Sequence, residues 1–122
     1  MNILCLPYVF SVCKLPFDAA IPFAKEPYTF LSRTASELSL VCKTEEVPSL
    51  ILSREDGWKG FFIEGSLDFS LVGILSEISG ILAREGIAIF ALSTYDTDYI
   101  FVKEERFENA CEALRAAGHI VR

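Results

Sequence analysis

Basic residues are scarce in this chain: 11 Lys and Arg stand against 17 Asp and Glu, for a net charge of −6. With no basic stripe to neutralise a row of phosphates, neither nucleic acid nor an anionic membrane is expected as a partner. Histidine occurs once, at His119, and the four cysteines, Cys5, Cys13, Cys42 and Cys111, include no CxxC pair. No metal or redox motif is spelled, and no cofactor is expected. The cysteines read as small buried apolar residues in a reducing compartment. No apolar run approaches the length that crosses a membrane. The apolar start MNILCLPYVFSVCKLPF lacks a preceding Lys or Arg and is broken by Pro7, unlike a secretory leader. A cytoplasmic protein is the expectation.

What the chain has in abundance is apolar surface. Of its 122 residues 52% are hydrophobic, with a mean hydropathy of +0.38. That length holds one modest core or two small ones sharing an interface. The apolar excess predicts that a partner subunit covers some of it, so a homodimer or higher oligomer is expected.

Residues 60–122 carry one uninterrupted pattern. An apolar stretch, Gly60–Gly65, precedes an amphipathic helix, Ser70–Arg84, whose Leu71, Ile74, Leu75, Ile78, Ile81 and Leu82 line one face at the helical period. Strands over Ile87–Thr94 and Tyr99–Lys103 follow, joined by the polar turn Tyr95-Asp96-Thr97-Asp98. A second helix, Arg106–Ala117, buries Phe107, Ala110, Cys111 and Leu114, stops at Gly118, and leaves His119–Val121 as an edge strand. This order is the split βαββαβ unit, with both helices on one face of a four-stranded antiparallel sheet. The fold class is α+β and ferredoxin-like.

The first half reads as a shortened copy. Glu37–Val41 matches Asp98–Val102 and Ser32 matches Ser93 at an offset of 61, whereas Asp18 matches Asp68 at an offset of 50. The difference is about three helical turns, so this copy has lost most of its first helix, in keeping with Pro16, Pro22 and Pro27. Leu6–Leu15, Tyr28–Arg33 and Leu38–Lys43 are predicted strands, Val47–Leu52 a short helix, and Glu55-Asp56-Gly57 the junction. The predicted division is therefore 1–55, a truncated first repeat, and 56–122, a complete second one.

The segments DFSLVGIL and GIAIFALSTYDTDYIFV, within residues 68–102, closely resemble the ACT domain family in the variety found in bacterial aspartate kinases and cytosolic arginine sensors. SVCKLP, FLSRTASELSLVCK and EEVPS resemble the degenerate first repeat of small bacterial tandem-ACT proteins. The resemblance implies an amino-acid-binding regulatory protein with no catalytic residues, its ligand held between repeats or between subunits. It also implies that the second-strand turn lies beside the first helix's start, where an acidic residue faces a cationic side chain. Arginine or another cationic amino acid is the implied ligand.

The residues themselves supply matching chemistry. A free amino acid needs donors for its carboxylate and acceptors for its ammonium. The unpaired amides at the start of helix 70–84 are a carboxylate seat. The candidate set is Asp68, Phe69, Ser70, Val72, Gly73 and Ile74 at the helix start and Ser93, Thr94, Tyr95, Asp96 and Asp98 at the turn. Gly73, one turn into the helix, either clears the seat or allows close packing on the sheet. Asp68 either meets the ammonium or caps the helix, and capping is the commoner fate. The turn residues equally suit an ordinary polar hairpin. Arg33 pairs either with Glu37 or with a ligand carboxylate, and the surface ion pair is the expectation. Two other readings compete: an interaction module that binds no ligand, and a thiol enzyme using Cys13 or Cys42 with His119 as base.

Overall fold

A computed structural model describes residues 1–20, 25–65 and 73–122. Along the chain run β1 (Asn2–Cys5), β2 (Phe10–Leu15), β3 (Phe30–Arg33), β4 (Leu38–Lys43), β5 (Ser53–Ile63), α1 (Ile74–Arg84), β6 (Ile89–Ser93), β7 (Asp98–Lys103), α2 (Phe107–Ala116) and β8 (Ile120–Val121). They form two units, one of residues Tyr8–Trp58 and one of Met1–Pro7 with Lys59–Arg122.

In the unit Tyr8–Trp58 the strands lie in the order β3-β4-β2-β5, with every neighbour antiparallel. The period of two in β4 turns Leu38, Leu40 and Cys42 inward against Cys13 and Leu15 of β2, and Ala19, Val47 and Ile51 cover this small core. The expected strand Leu6–Leu15 forms only over Phe10–Leu15; residues 6–9, around Pro7, which has no amide to donate, separate it from β1, a strand that was not expected. The expected helix Val47–Leu52 does not form. Only a 3-10 turn, Thr44–Glu46, precedes it, and Val47 is extended (φ −62°, ψ 126°) because the residue before a proline is driven out of the helical region. The predicted junction Glu55–Gly57 lies inside β5. Between Phe10↔Trp58 and Val12↔Glu55 the strand carries one extra residue, and Gly57 (φ 83°) absorbs it as a bulge rather than a break. No α-helix occurs among the described residues between Phe17 and Thr29. Residues 21–24, which include Pro22, lie outside the described residues.

In the other unit the order is β6-β7-β5-β1-β8. The expected four antiparallel strands are joined by a fifth. β1 inserts between β5, to which it is antiparallel, and β8, to which it is parallel. Helices α1 and α2 pack on the face carrying Ile3, Phe61, Ile63, Ile100, Val102 and Val121, with Ile78, Ile81 and Leu82 of α1 and Phe107, Ala110, Cys111 and Leu114 of α2. The 3.6-residue spacing of those side chains makes each helix one-sided. The chain is thus α+β, with a ferredoxin-like β5-α1-β6-β7-α2-β8 unit.

Helix α1 starts later than expected. Its first intrahelical bond runs from the Glu77 amide to the Gly73 carbonyl (2.8 Å), and Gly73 itself is left-handed (φ 84°). A left-handed residue cannot sit inside a right-handed helix, so Gly73 precedes the first turn instead of lying within it.

The two hairpins superimpose at a different offset from the one that the matching letters suggest. Hairpin β3–β4 pairs Phe30↔Val41 and Arg33↔Leu38, and hairpin β6–β7 pairs Phe90↔Phe101 and Ser93↔Asp98, an offset of 60 and not 61. The same offset carries the 3-10 turn Thr44–Glu46 onto Glu104–Arg106. A shift of one residue exchanges the two faces of a strand, so identical letters at 61 fall on opposite faces.

Candidate functional site

The turn between β6 and β7 is built by its own hydroxyls. The Thr94 amide donates to the Thr97 carbonyl (2.8 Å), the Thr94 hydroxyl donates to the same oxygen (3.1 Å), and the Thr97 amide donates to the Thr94 hydroxyl (3.3 Å). Below the turn, Ser93 Oγ donates to Asp98 Oδ1 at 2.5 Å. One oxygen of Asp98 is thereby engaged inside the hairpin. Asp96 and Tyr95 are exposed at the tip, Tyr95 at 82%.

Thr97, which sequence reasoning left out of the candidate set, is the anchor of this turn. It is 8% exposed and its hydroxyl donates to the Ile63 carbonyl at 2.7 Å. Ile63 is the last residue of β5, from which the chain proceeds to α1. The acidic turn is therefore fixed to the exit of the strand that leads to the helix. A threonine in a polar turn gives no sequence signal for such a tether.

At the helix start, Ile74 is half-buried against the core and Gly73 is exposed. A Cβ added at Gly73 would meet nothing within 4 Å among the described residues. Close packing is therefore not what this glycine serves, and its backbone conformation is. The first-turn amides that follow it have no intrahelical acceptor and lie at the positive end of the helix dipole. Asp68, Phe69, Ser70 and Val72 fall outside the described residues. Of the expected site, the structure ties Ser93 to Asp98 and Thr94 to Thr97, and places Ile74 on α1.

Elsewhere the chemistry is structural. Arg33 does not pair with Glu37: its Nη1 donates to the Phe17 carbonyl (2.6 Å), and its guanidinium lies over the Phe17 ring. Burial is the main cause that raises the Cys13 thiol and pushes Cys42 up to about 12, opposite to what activates a nucleophile. The His119 ring is engaged at both nitrogens, Nε2 3.3 Å from Glu77 Oε2 and Nδ1 3.1 Å from the Met1 amine. No group of three or more metal-ligating side chains occurs among the described residues.

A βαββαβ unit whose acidic turn is secured to the strand leading to its first helix is the architecture of small-molecule-binding regulatory modules. The chain is a member of the ACT domain family, whose model matches residues 53–116. A second family model, for an N-terminal domain, matches residues 9–50. No curated protein matches the chain. Among solved structures it is similar to a protein from Agobacterium tumefaciens, with 29% identity and a TM-score of 0.88, covering 99% of this chain and 91% of that one. A Vibrio cholerae protein of unknown function, described as a possible transport protein, aligns with a TM-score of 0.70 at 20% identity over 98% of this chain and 88% of its own. The ligand-free regulatory subunit of Thermus thermophilus aspartate kinase aligns with a TM-score of 0.65 at 12% identity, covering 97% and 98%. The last two likenesses concern the fold.

Proposed function

We propose that this protein is an amino-acid sensor that acts by binding and not by catalysis. The ligand carboxylate sits on the first-turn amides of α1 after Gly73, with Asp68 and Ser70 beside it. The carboxylate of Asp96 faces a cationic side chain, making arginine or another cationic amino acid the preferred ligand. Asp98, one oxygen of which accepts from Ser93, is the second candidate for that contact. The two halves of the chain are repeats of one ACT unit, with residues 1–55 the truncated copy and 56–122 the complete one. The sensor works in the cytoplasm as a homodimer, a state that light scattering reads directly.

The observation that carries this reading is the left-handed Gly73 immediately ahead of α1, on the same unit as an acidic turn tied to β5. Calorimetric titration with a panel of amino acids tests it. The wild type should bind a cationic amino acid. Asp96→Ala should weaken that ligand about tenfold to a hundredfold, the worth of a charged hydrogen bond of roughly 1.5–3 kcal/mol, and leave neutral amino acids nearly unchanged. Gly73→Val should abolish binding of both classes by forcing the backbone ahead of α1 out of its left-handed conformation. An equal loss for neutral and cationic ligands would remove Asp96 from the site. If the wild type binds no amino acid, the protein is an interaction module that kept the fold without the ligand.

A further inference from the structure

The unit Tyr8–Trp58 carries a hollow of about 360 Å³ that none of the chemistry above uses. A row of three polar residues crosses it on three adjacent strands. Lys14 of β2 stands directly opposite Ser39 of β4 on one side and Ser53 of β5 on the other. Side chains alternate along a strand, so Cys13 and Leu15 turn into the small core and Lys14 turns to the opposite face, which half-buried Val12 shares. Directly opposed residues have Cβ atoms about 4.5–5.5 Å apart, which puts a hydroxyl on either side of the lysine stem. Glu37 lies two residues before Ser39 and therefore diagonally from Lys14. Its backbone is fixed by the turn before β4, where the Thr34 amide donates to the Glu37 carbonyl (2.9 Å) and the Glu37 amide donates to the Thr34 hydroxyl (3.1 Å).

The backbones of this row are fixed, yet its polar groups are not engaged with one another. Among the described residues, neither the Lys14 ammonium nor the Glu37 carboxylate makes an ion pair, and the Ser39 and Ser53 hydroxyls make no hydrogen bond. Lysine is depleted in strands, and here it occupies the one that lies between two others. Arg54, which also lines the hollow, differs because its Nε lies 3.0 Å from Asp56 Oδ1. The lining holds two cations, Lys14 and Arg54, and two carboxylates, Glu37 and Glu55, so its formal charge is zero. A simple anion seated at Lys14 would be opposed by the carboxylates, and a simple cation at Glu37 would be opposed by Lys14. A molecule with one charge of each sign satisfies both. The volume is at the small end of ligand sites.

We propose that this hollow is a ligand site for a small zwitterion that carries a carboxylate and an ammonium on one short chain. The ligand carboxylate accepts from the Lys14 ammonium and the Ser39 and Ser53 hydroxyls, and the ligand ammonium donates to the Glu37 carboxylate. The site lies in a different unit from the seat ahead of α1 and does not depend on it. A bound ligand ties the first residues of β4 and β5 together across β2.

Residue-resolved NMR titration of the full chain with β-alanine and with γ-aminobutyrate tests this, with butyrate and butylamine as probes that carry one head each. Saturable amide shifts are expected around Lys14, Glu37, Ser39 and Ser53 with at least one of the two zwitterions, and neither single-headed probe should reproduce them at equal concentration. Lys14→Met and Glu37→Gln, both at exposed positions, should each weaken binding about tenfold or more, the effect of losing one charged hydrogen bond. No saturable shift at these residues with either zwitterion, equal shifts with butyrate or butylamine alone, or an unchanged affinity in either variant would overturn the proposal. Its failure is separable from that of the amino-acid seat: shifts confined to residues 74–77 would leave that seat standing and remove this one.

Discussion

Thr97 does the most with the fewest atoms. Its hydroxyl gives a buried β5 carbonyl a partner, and its amide and carbonyl both close the turn with Thr94. Thr97→Val keeps the shape and removes the donor to the Ile63 carbonyl. A loss of about 1–3 kcal/mol is expected, read as a lower urea midpoint at unchanged slope. Thr94→Val, on the exposed side, should cost less. Residue by residue, the sequence was legible where chemistry alone decided the role: Cys111 is buried on a helix face as its period requires, and Cys13 and Cys42 are core thiols. It was not legible where backbone conformation decided. Gly73 fits the apolar rhythm of α1, and nothing in its neighbours announces a left-handed φ. The engagement of Asp98 was hidden because the bond from Ser93 depends on the pairing of β6 with β7.

At the scale of elements, boundaries were readable wherever a period ran to a clear stop. β4 matches its expected span, α2 lies within one residue of its expected ends, and β7 begins one residue early. The parts that could not be read were those set by distant pairing. β1 is four residues long and earns its place between β5 and β8 only through partners at residues 61–63 and 120–121. Short-range periodicity carries no information about such a partner. The two hairpins offer a test of the offset of 60. In the first, Thr34 repeats the bonds of Thr94: its amide donates to the Glu37 carbonyl at 2.9 Å, and the Glu37 amide donates to its hydroxyl at 3.1 Å. Replacing Ala35, Ser36 and Glu37 by the Tyr, Asp and Thr of the second turn should therefore leave stability within about 0.5 kcal/mol. Inserting a residue to impose an offset of 61 would turn Leu38, Leu40 and Cys42 outwards and should abolish the cooperative melt of that unit.

For the molecule as a whole, both cores contain thiols that burial holds in the neutral form, Cys42 in one and Cys111 in the other, each pushed from 9.0 to about 12. The sign follows from proton counting. Between those values the folded state binds more protons than the unfolded chain, so stability falls as pH rises through that interval and is fully present below it. Denaturant midpoints should be flat in these thiols' contribution up to about pH 9 and then decline. Cys42→Ala and Cys111→Ala should each flatten part of that decline, whatever they cost at neutral pH. An alkaline slope unchanged in both variants would assign the loss to other groups.

The parallel pairing of β1 with β8 sets the order in which a growing chain can complete its parts. Every strand of the unit Tyr8–Trp58 has been synthesised once β5 emerges, so its sheet can close while the rest is still being made. The other unit has β1 ready first of all and must keep that apolar strand waiting until Ile120 and Val121 arrive to cover its outer edge. Closing so long a loop is slow, and an uncovered strand edge is open to wrong partners in the meantime. The ferredoxin-like unit is thus the later of the two to close, and its most vulnerable species on the way is a chain from which β8 has yet to emerge.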